Sequence, residues 1–350
     1  MSSLTLVARE VSALRRYGVA CVGLSLAPTA SFACATCGCT LNADAAMGYT
    51  ATAGLRVNLE YDYINQDQLR FGTSTTTPAQ AVNNPSNPAL GGGEIERGTI
   101  NRYLTLGLSY SPNAVWNFNL LVPYVMRSHT TYGQQSMPYT SADTAPDQIS
   151  SVGFSDIGDL KILVAYQGFL PTHNLGVQLG VKLPTGKYGT TVNFDTGPNA
   201  GTPLDASLQP GNGSTDLIVG AYYYQAVSQD FDAFATGQFQ SAVQHKQNQA
   251  GSDFRPGNVA SMSIGLRYEA HPSWIPQLQM NLTRKTADQG ALADVPDTAG
   301  TVAYLSPGLT TRVVHSLHLF GFLQVPVFSR LDGYQLFPHW TATVGGSYAF

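Results

Sequence analysis

The sequence predicts an all-β fold: a transmembrane antiparallel up-and-down β-barrel of about 12 strands, preceded by a cleaved signal peptide. Three observations carry that expectation. The first is the terminal stretch, residues 339–350. Trp340, Ala342, Val344, Gly346, Tyr348 and Phe350 on one parity are aromatic, aliphatic or small; Thr341, Thr343, Gly345, Ser347 and Ala349 on the other are small and mostly polar. A period of two means a strand with one oily face. Aromatic residues at both ends of that face suit a strand that crosses lipid. The second is composition. Charged residues make up 11% of the 350, less than half of the roughly 25% usual in soluble domains. Mean hydropathy is nevertheless near zero, and no run of about 18 apolar residues follows the N-terminus, so helical spans are excluded. Strand alternation hides the lipid-facing half of a barrel from hydropathy. The third is the rhythm of connections, long and short in turn.

The chain opens with a secretory signal, residues 1–33. Arg9, Arg15 and Arg16 supply the positive region, residues 17–27 a short apolar core, and Ser31-Phe32-Ala33 small residues at −3 and −1 of a cut before Cys34. Residues 34–52 form a periplasmic N-terminal segment carrying Cys34-x-x-Cys37-x-Cys39, and residues 53–350 the barrel. Strand one covers 53–64, with Leu55, Val57, Leu59, Tyr61 and Tyr63 opposite Arg56, Asn58, Glu60 and Asp62. Residues 65–98, rich in Pro, Asn, Thr and Gly, read as a long loop. Strand two (99–110) and strand three (115–127) are separated by Ser111-Pro112-Asn113-Ala114, and a second loop runs to 152. Strands four (153–167) and five (174–184) form the next close pair. About thirty loop residues follow, and then strands six (215–226) and seven (231–240). Strands eight (258–269) and nine (274–283) flank His271-Pro272-Ser273. Strands ten (301–309) and eleven (314–327) come next, with 329–337 connecting to the terminal strand. Strands seven, ten and eleven are the weakest in pattern. Long loops on one side and short turns on the other are the two faces of a barrel in the bacterial outer membrane, and an even strand count returns both ends to the periplasm.

By parity Arg56, Glu60, Asp62, Asp159, Lys161, Lys182, Arg267 and Glu269 line the lumen. Both signs are present, which fits salt-bridged packing or a narrow polar channel. Arg102 and Arg284 have outward parity at loop-side strand ends, where guanidinium groups suit lipopolysaccharide phosphates. Cys34, Cys37 and Cys39 leave several states open: a disulfide with one odd thiol, lipidation of Cys34, or a soft metal such as Cu(I) or Zn without an evident fourth ligand. No other cofactor is expected. A net charge of −4 gives no basic surface for nucleic acid. Catalysis would need a Ser and a His in reach of each other; His129, His315 and His318 have no obvious partner, so no enzyme is expected.

Phe154-Ser-Asp-Ile-Gly-Asp-Leu-Lys161, followed by Leu175-Gly-Val-Gln-Leu-Gly-Val-Lys-Leu-Pro-Thr-Gly186, resembles a group of outer-membrane barrel transporters named for the meta-pathway of phenol degradation. Cys37-Gly-Cys39-Thr-Leu and Tyr61-Asp-Tyr-Ile-Asn-Gln-Asp-Gln-Leu-Arg70 look like members of such groups. The resemblance implies passive passage of small molecules, apolar or aromatic ones among them, and carries over no site residue. The expectation is a monomeric channel whose partners are membrane lipid, lipopolysaccharide and its solute. The alternatives are a non-transporting structural or surface-binding barrel, or a barrel displaying a periplasmic metal or redox cysteine cluster.

Overall fold

The computed structural model describes residues 53–84, 95–133, 140–271 and 273–350. The predicted signal peptide and the segment holding Cys34, Cys37 and Cys39 lie outside the described residues. Among these residues no helix is long and apolar enough to cross a membrane, and strands do all the crossing.

The described residues form thirteen strands: β1 (Gly54–Gly72), β2 (Ser74–Thr75), β3 (Ile95–Ser111), β4 (Trp116–Tyr132), β5 (Ile149–Ile157), β6 (Leu160–Tyr166), β7 (Leu175–Leu183), β8 (Ser214–Ala226), β9 (Phe231–His245), β10 (Val259–Tyr268), β11 (Trp274–Lys285), β12 (Gly300–Val314) and β13 (Leu317–Ala349). They form one sheet. Eleven make a ring, neighbour to neighbour, closed by pairing of β13 with β1; β2 and β5 hang from β1 and β4. Every pairing is antiparallel, yet a closed ring of antiparallel strands needs an even number. The 33-residue β13 resolves the parity. Residues 317–331 pair with β12 and residues 334–349 with β1, and the chain reverses at Asp332-Gly333, where Gly333 has φ +66°. Asp-Gly is a strong tight-hairpin signal. The wall is therefore crossed twelve times.

The sequence reading needs three corrections here. Residues 329–337 are strand and tight reversal instead of a loop, so the last loop-side connection is short and the alternation of lengths breaks there. Residues 65–98 are not all irregular. Strand β1 runs on to Gly72, and helix α1 (Pro78–Val82) starts at a Thr77/Gln80 capping box with proline at its first position. One predicted strand, 153–167, is broken into β5 and β6 at Gly158-Asp159. The remaining boundaries move by a few residues, and the weakly patterned strands are all present.

Polarity is inside-out where the wall faces lipid. Leu59, Leu179, Met262, Leu278 and Val344 are exposed, while Asn101, Gln279, Ser306 and Thr343 are buried on the inner face. Above that band the polarity inverts. In β1 the register slips between Ile64 and Gln68, and a bulge swaps which parity faces inward. Ile64 and Gln66 are buried before it, Leu69 after it. Leu69 then packs with Ala81, Val82 and Ile95, beneath α1. The loop-side rim is thus an ordinary apolar-in structure standing on an apolar-out barrel.

Leu179, 57% exposed near the middle of β7, tests the lipid face. Leu179→Arg is expected to lower the free energy of folding into lipid vesicles by about 2–4 kcal/mol, read by urea titration of the refolded barrel.

Candidate functional site: the lumen and its closures

The two resemblance motifs meet in space. The Gly158-Asp159 break between β5 and β6 lies against the end of β7, where Pro184 has no N–H to continue a ladder. Thr185 locks the two: its Oγ1 donates to Gly158 O at 2.9 Å and accepts from Leu160 N at 3.0 Å. The Asp159 carboxylate accepts from Gly186 N at 3.1 Å and Asn212 N at 3.2 Å, and Lys182 Nζ reaches it at 3.1 Å. Lys182 also sits 3.3 Å from Asp216 and donates to Ser214 at 3.1 Å and to Asn212. All three charges are buried. One lysine between two carboxylates, each held by further donors, is the arrangement a buried ion cluster needs to offset desolvation. This clasp ties the loop of residues 184–213 to the wall.

Above the clasp that loop has a core of its own. Phe194, Leu204 and Leu208 pack on Val152 of β5, and the loop backbone bridges to Ser151. The free edge of β5 is thereby covered by loop in place of a wall strand. On other loops of the same side Lys285 and Asp288, 2.7 Å apart and almost fully buried, form a second ion pair, and Asp288 also accepts from Gly257 N. Two of the loop-side connections are thus each pinned by buried packing and ion pairs.

The predicted lumen residues fall as follows. Glu60 and Asp62 are buried on the inner face of β1, where Thr343 donates to Asp62 at 2.6 Å. Lys161 stands opposite Lys182 in register on β6. Arg267 is buried and pairs at 2.9 Å with the more exposed Glu269 at the turn-side mouth, and Arg56 lies at the same end, opposite Ala349 and Ser109. The clasp unites Asp159 and Lys182; the others are distributed along the wall and form no single centre. Arg102 points outward with its guanidinium 5.9 Å from the Tyr63 ring. Because β3 starts at Ile95, Arg102 lies further inside the strand than the sequence reading placed it. Arg284 is outward between Ala260 and Thr301. Among the described residues no group of His, Cys, Asp and Glu is arranged to hold a metal.

Sequence reasoning passed over the apolar inner face. Phe234, Phe320, Phe322, Tyr222 and Leu163 are all inward and buried. Each lies over a glycine on a neighbouring pass of the wall. A Cβ added at Gly265 would come within 2.5 Å of Phe234, at Gly345 within 2.4 Å of Phe320, at Gly308 within 2.0 Å of Phe322, at Gly176 within 2.2 Å of Tyr222 and at Gly180 within 2.3 Å of Leu163. Rings and branches are laid flat in the gaps that the glycines leave, as when an aromatic covers a strand glycine. Between them run polar ladders, Gln277 to Thr310 and Asn281 to Ser306, both at 2.8 Å. The readable signal was the set of glycines at inward parity.

A closed antiparallel wall, apolar outside and mixed inside, defines a transmembrane β-barrel of the bacterial outer-membrane class. The solved structures similar to it include an outer-membrane channel from Pseudomonas putida F1, with TM-score 0.57 and 11% identity over 85% of this chain and 96% of that one. They also include the CymD monoaromatic hydrocarbon channel, with TM-score 0.46 and 10% identity over 92% and 94%. At such identities the first bears on the fold alone, and the second carries no argument. No protein-family model matches the chain, so the phenol meta-pathway group rests on the motifs quoted above. Among curated proteins a dehydrogenase from Armillaria gallica is 27% identical over 202 residues, 53% of this chain. The chain spans 28% of that relative's length, too little to carry its activity across.

Two outcomes test the closures. Lys182→Met leaves Asp159 and Asp216 buried and facing each other, and is expected to cost about 3–5 kcal/mol, seen as a lower heat-modification midpoint on gels. On the loop between β11 and β12, partial burial raises the Asp297 carboxyl to about 6 from 3.8, although Tyr334 N donates to it at 2.6 Å. A raised carboxyl stabilises the folded loop fully below pH 3.8, and that stabilisation is lost as pH rises through about 6. Hydrogen exchange at Tyr334, corrected for intrinsic rates, should be less protected at pH 7 than at pH 5, and Asp297→Asn should remove the difference.

Proposed function

We propose that the barrel is a passive outer-membrane channel for small molecules, apolar and aromatic ones in particular, acting as a monomer and without catalysis. The observation that carries this is the paved lumen. An aqueous pore has a polar interior, whereas here buried Phe, Tyr and Leu side chains alternate with Gln, Asn and Thr along the inner wall. Such a surface solvates a flat apolar ring and its polar substituents in turn. Seating each large side chain over a glycine keeps it off the axis. The Pseudomonas putida F1 protein that shares this fold is itself an outer-membrane channel, which agrees with this reading. Arg102 and Arg284 are proposed to meet lipopolysaccharide phosphates, and the lumen needs no cofactor. The buried loop packing on that side favours a second reading, a closed structural barrel, and transport decides between the two.

The test is uptake of radiolabelled toluene by cells expressing the protein, with planar-bilayer conductance alongside. Wild type should accelerate uptake over empty cells. Gly308→Val should lift Phe322 into the lumen and reduce uptake several-fold, while Glu60→Gln should shift ion selectivity toward anions without that loss. Uptake no faster than in empty cells, with silent but correctly inserted barrels, would leave only the structural reading.

A further inference from the structure

Arg127 is a buried arginine that belongs neither to the clasp, nor to the mouth pairs, nor to the rim. It points inward from β4 just beneath the loop-side closure and is 6% exposed. A guanidinium carries five N–H donors, and these find only neutral acceptors. Nε donates to Asn101 Oδ1, Nη2 to Tyr103 Oη at 2.9 Å, and Nη1 to the backbone carbonyl of Leu208 in the closing loop. Among the described residues no carboxylate lies within ion-pair distance of Arg127. Buried charges are ordinarily paired, because an unpaired one bears its desolvation uncompensated. Its neighbour two residues on, His129, is 1% exposed. Thr99 Oγ1 meets its Nδ1 at 2.8 Å, while its Nε2 has no hydrogen-bond partner. Two aromatic rings border this pair: Phe154 with its centroid 5.8 Å from the Arg127 guanidinium, and Phe194 with its centroid 5.9 Å from the His129 ring. Asn101 is in turn fixed by Gln66 at 2.6 Å, so the cation is held from below by a rigid amide chain.

We infer that Arg127 and His129 form a subsite for an aromatic carboxylate, whose anionic group takes the place of the Leu208 carbonyl on Arg127 while its ring lies against Phe154 and Phe194. This rests on the channel reading and narrows its substrate class to aromatic acids. A carboxylate offers the guanidinium two parallel acceptors and the opposite charge, which the single Leu208 carbonyl lacks, so the exchange pairs a buried cation that is otherwise held by neutral groups. It also releases the closing loop at the point where Arg127 tethers it. The same bond that recognises the solute thus loosens the closure above it, and an uncharged ring makes no such exchange.

The experiment is calorimetric titration of the refolded, full-length barrel in detergent with benzoate, and with benzamide as an uncharged analogue of the same shape. Benzoate should bind at least about tenfold more tightly than benzamide. Arg127→Gln should weaken benzoate by about tenfold or more while leaving benzamide unchanged, and His129→Phe should weaken benzoate several-fold. Equal binding of the two ligands to the native protein overturns the proposal, as does benzoate affinity unaltered by Arg127→Gln. The comparison on native protein stands even where a variant fails to refold. Benzoate binding with no toluene uptake would remove the channel reading and keep the site; uptake with no benzoate preference would remove the site alone.

Discussion

The constraint on which everything else depends is that lipid offers no partner to a backbone N–H or C=O. Each unsatisfied group there costs several kcal/mol, so a sheet in a membrane must have no edge. The ring meets this by closing β13 on β1, and closure by antiparallel pairing forces an even number of passes. The reversal at Asp332-Gly333 supplies the twelfth. It is a consequence of closure, and the Asp-Gly pair is the local chemistry that permits it. Where the wall does leave an edge, along β5, the loop of residues 184–213 covers it with backbone bridges and a small apolar core.

A second layer of organisation follows from where lipid ends. Below the bulge in β1 the chain hides its polar residues and shows its apolar ones; above it the preference reverses, because water is now outside. A one-residue slip is enough to exchange the two faces of a strand. The same physics explains why the lumen is mixed. Once the outer face has taken the branched aliphatics, the inner face is free to vary, and glycine paired with an aromatic fits more apolar surface into the same cross-section than two medium side chains would.

Alternation made the passes legible from sequence, since Leu55 to Tyr63 and Trp116 to Met126 announce their lipid face directly. The strand ends were less legible. The rim strands continue into an apolar-in region where the expected parity no longer holds, so β1 seemed to stop at residue 64. Helix α1 was hidden in a Thr- and Pro-rich stretch, though Thr77-Pro-Ala-Gln80 is a capping box in plain view. For the site, parity placed Asp159 and Lys182 inward but had no means of joining them, because their contact passes through a strand break and a 30-residue loop. Arg127 was taken as the last residue of its strand; only the extension of β4 to Tyr132 and the return of Leu208 show it as buried and held. The Phe–glycine pairs depend on register between neighbouring passes, which no single strand reveals.

The closing seam has one more consequence. Thr343 and Asp62, joined at 2.6 Å across it, are 281 residues apart in the chain. Every other neighbouring pair of passes is joined by a shorter connection, but this contact joins the first strand to the last and bears the largest single loop-closure cost of the barrel. Closing this seam is therefore the contact with the largest sequence separation that the ring requires. Until β13 arrives, β1 presents an open row of N–H and C=O groups. An unfinished sheet of this kind is prone to pair with a second copy of itself, so the seam that completes the barrel is also where an incomplete one is most exposed to aggregation.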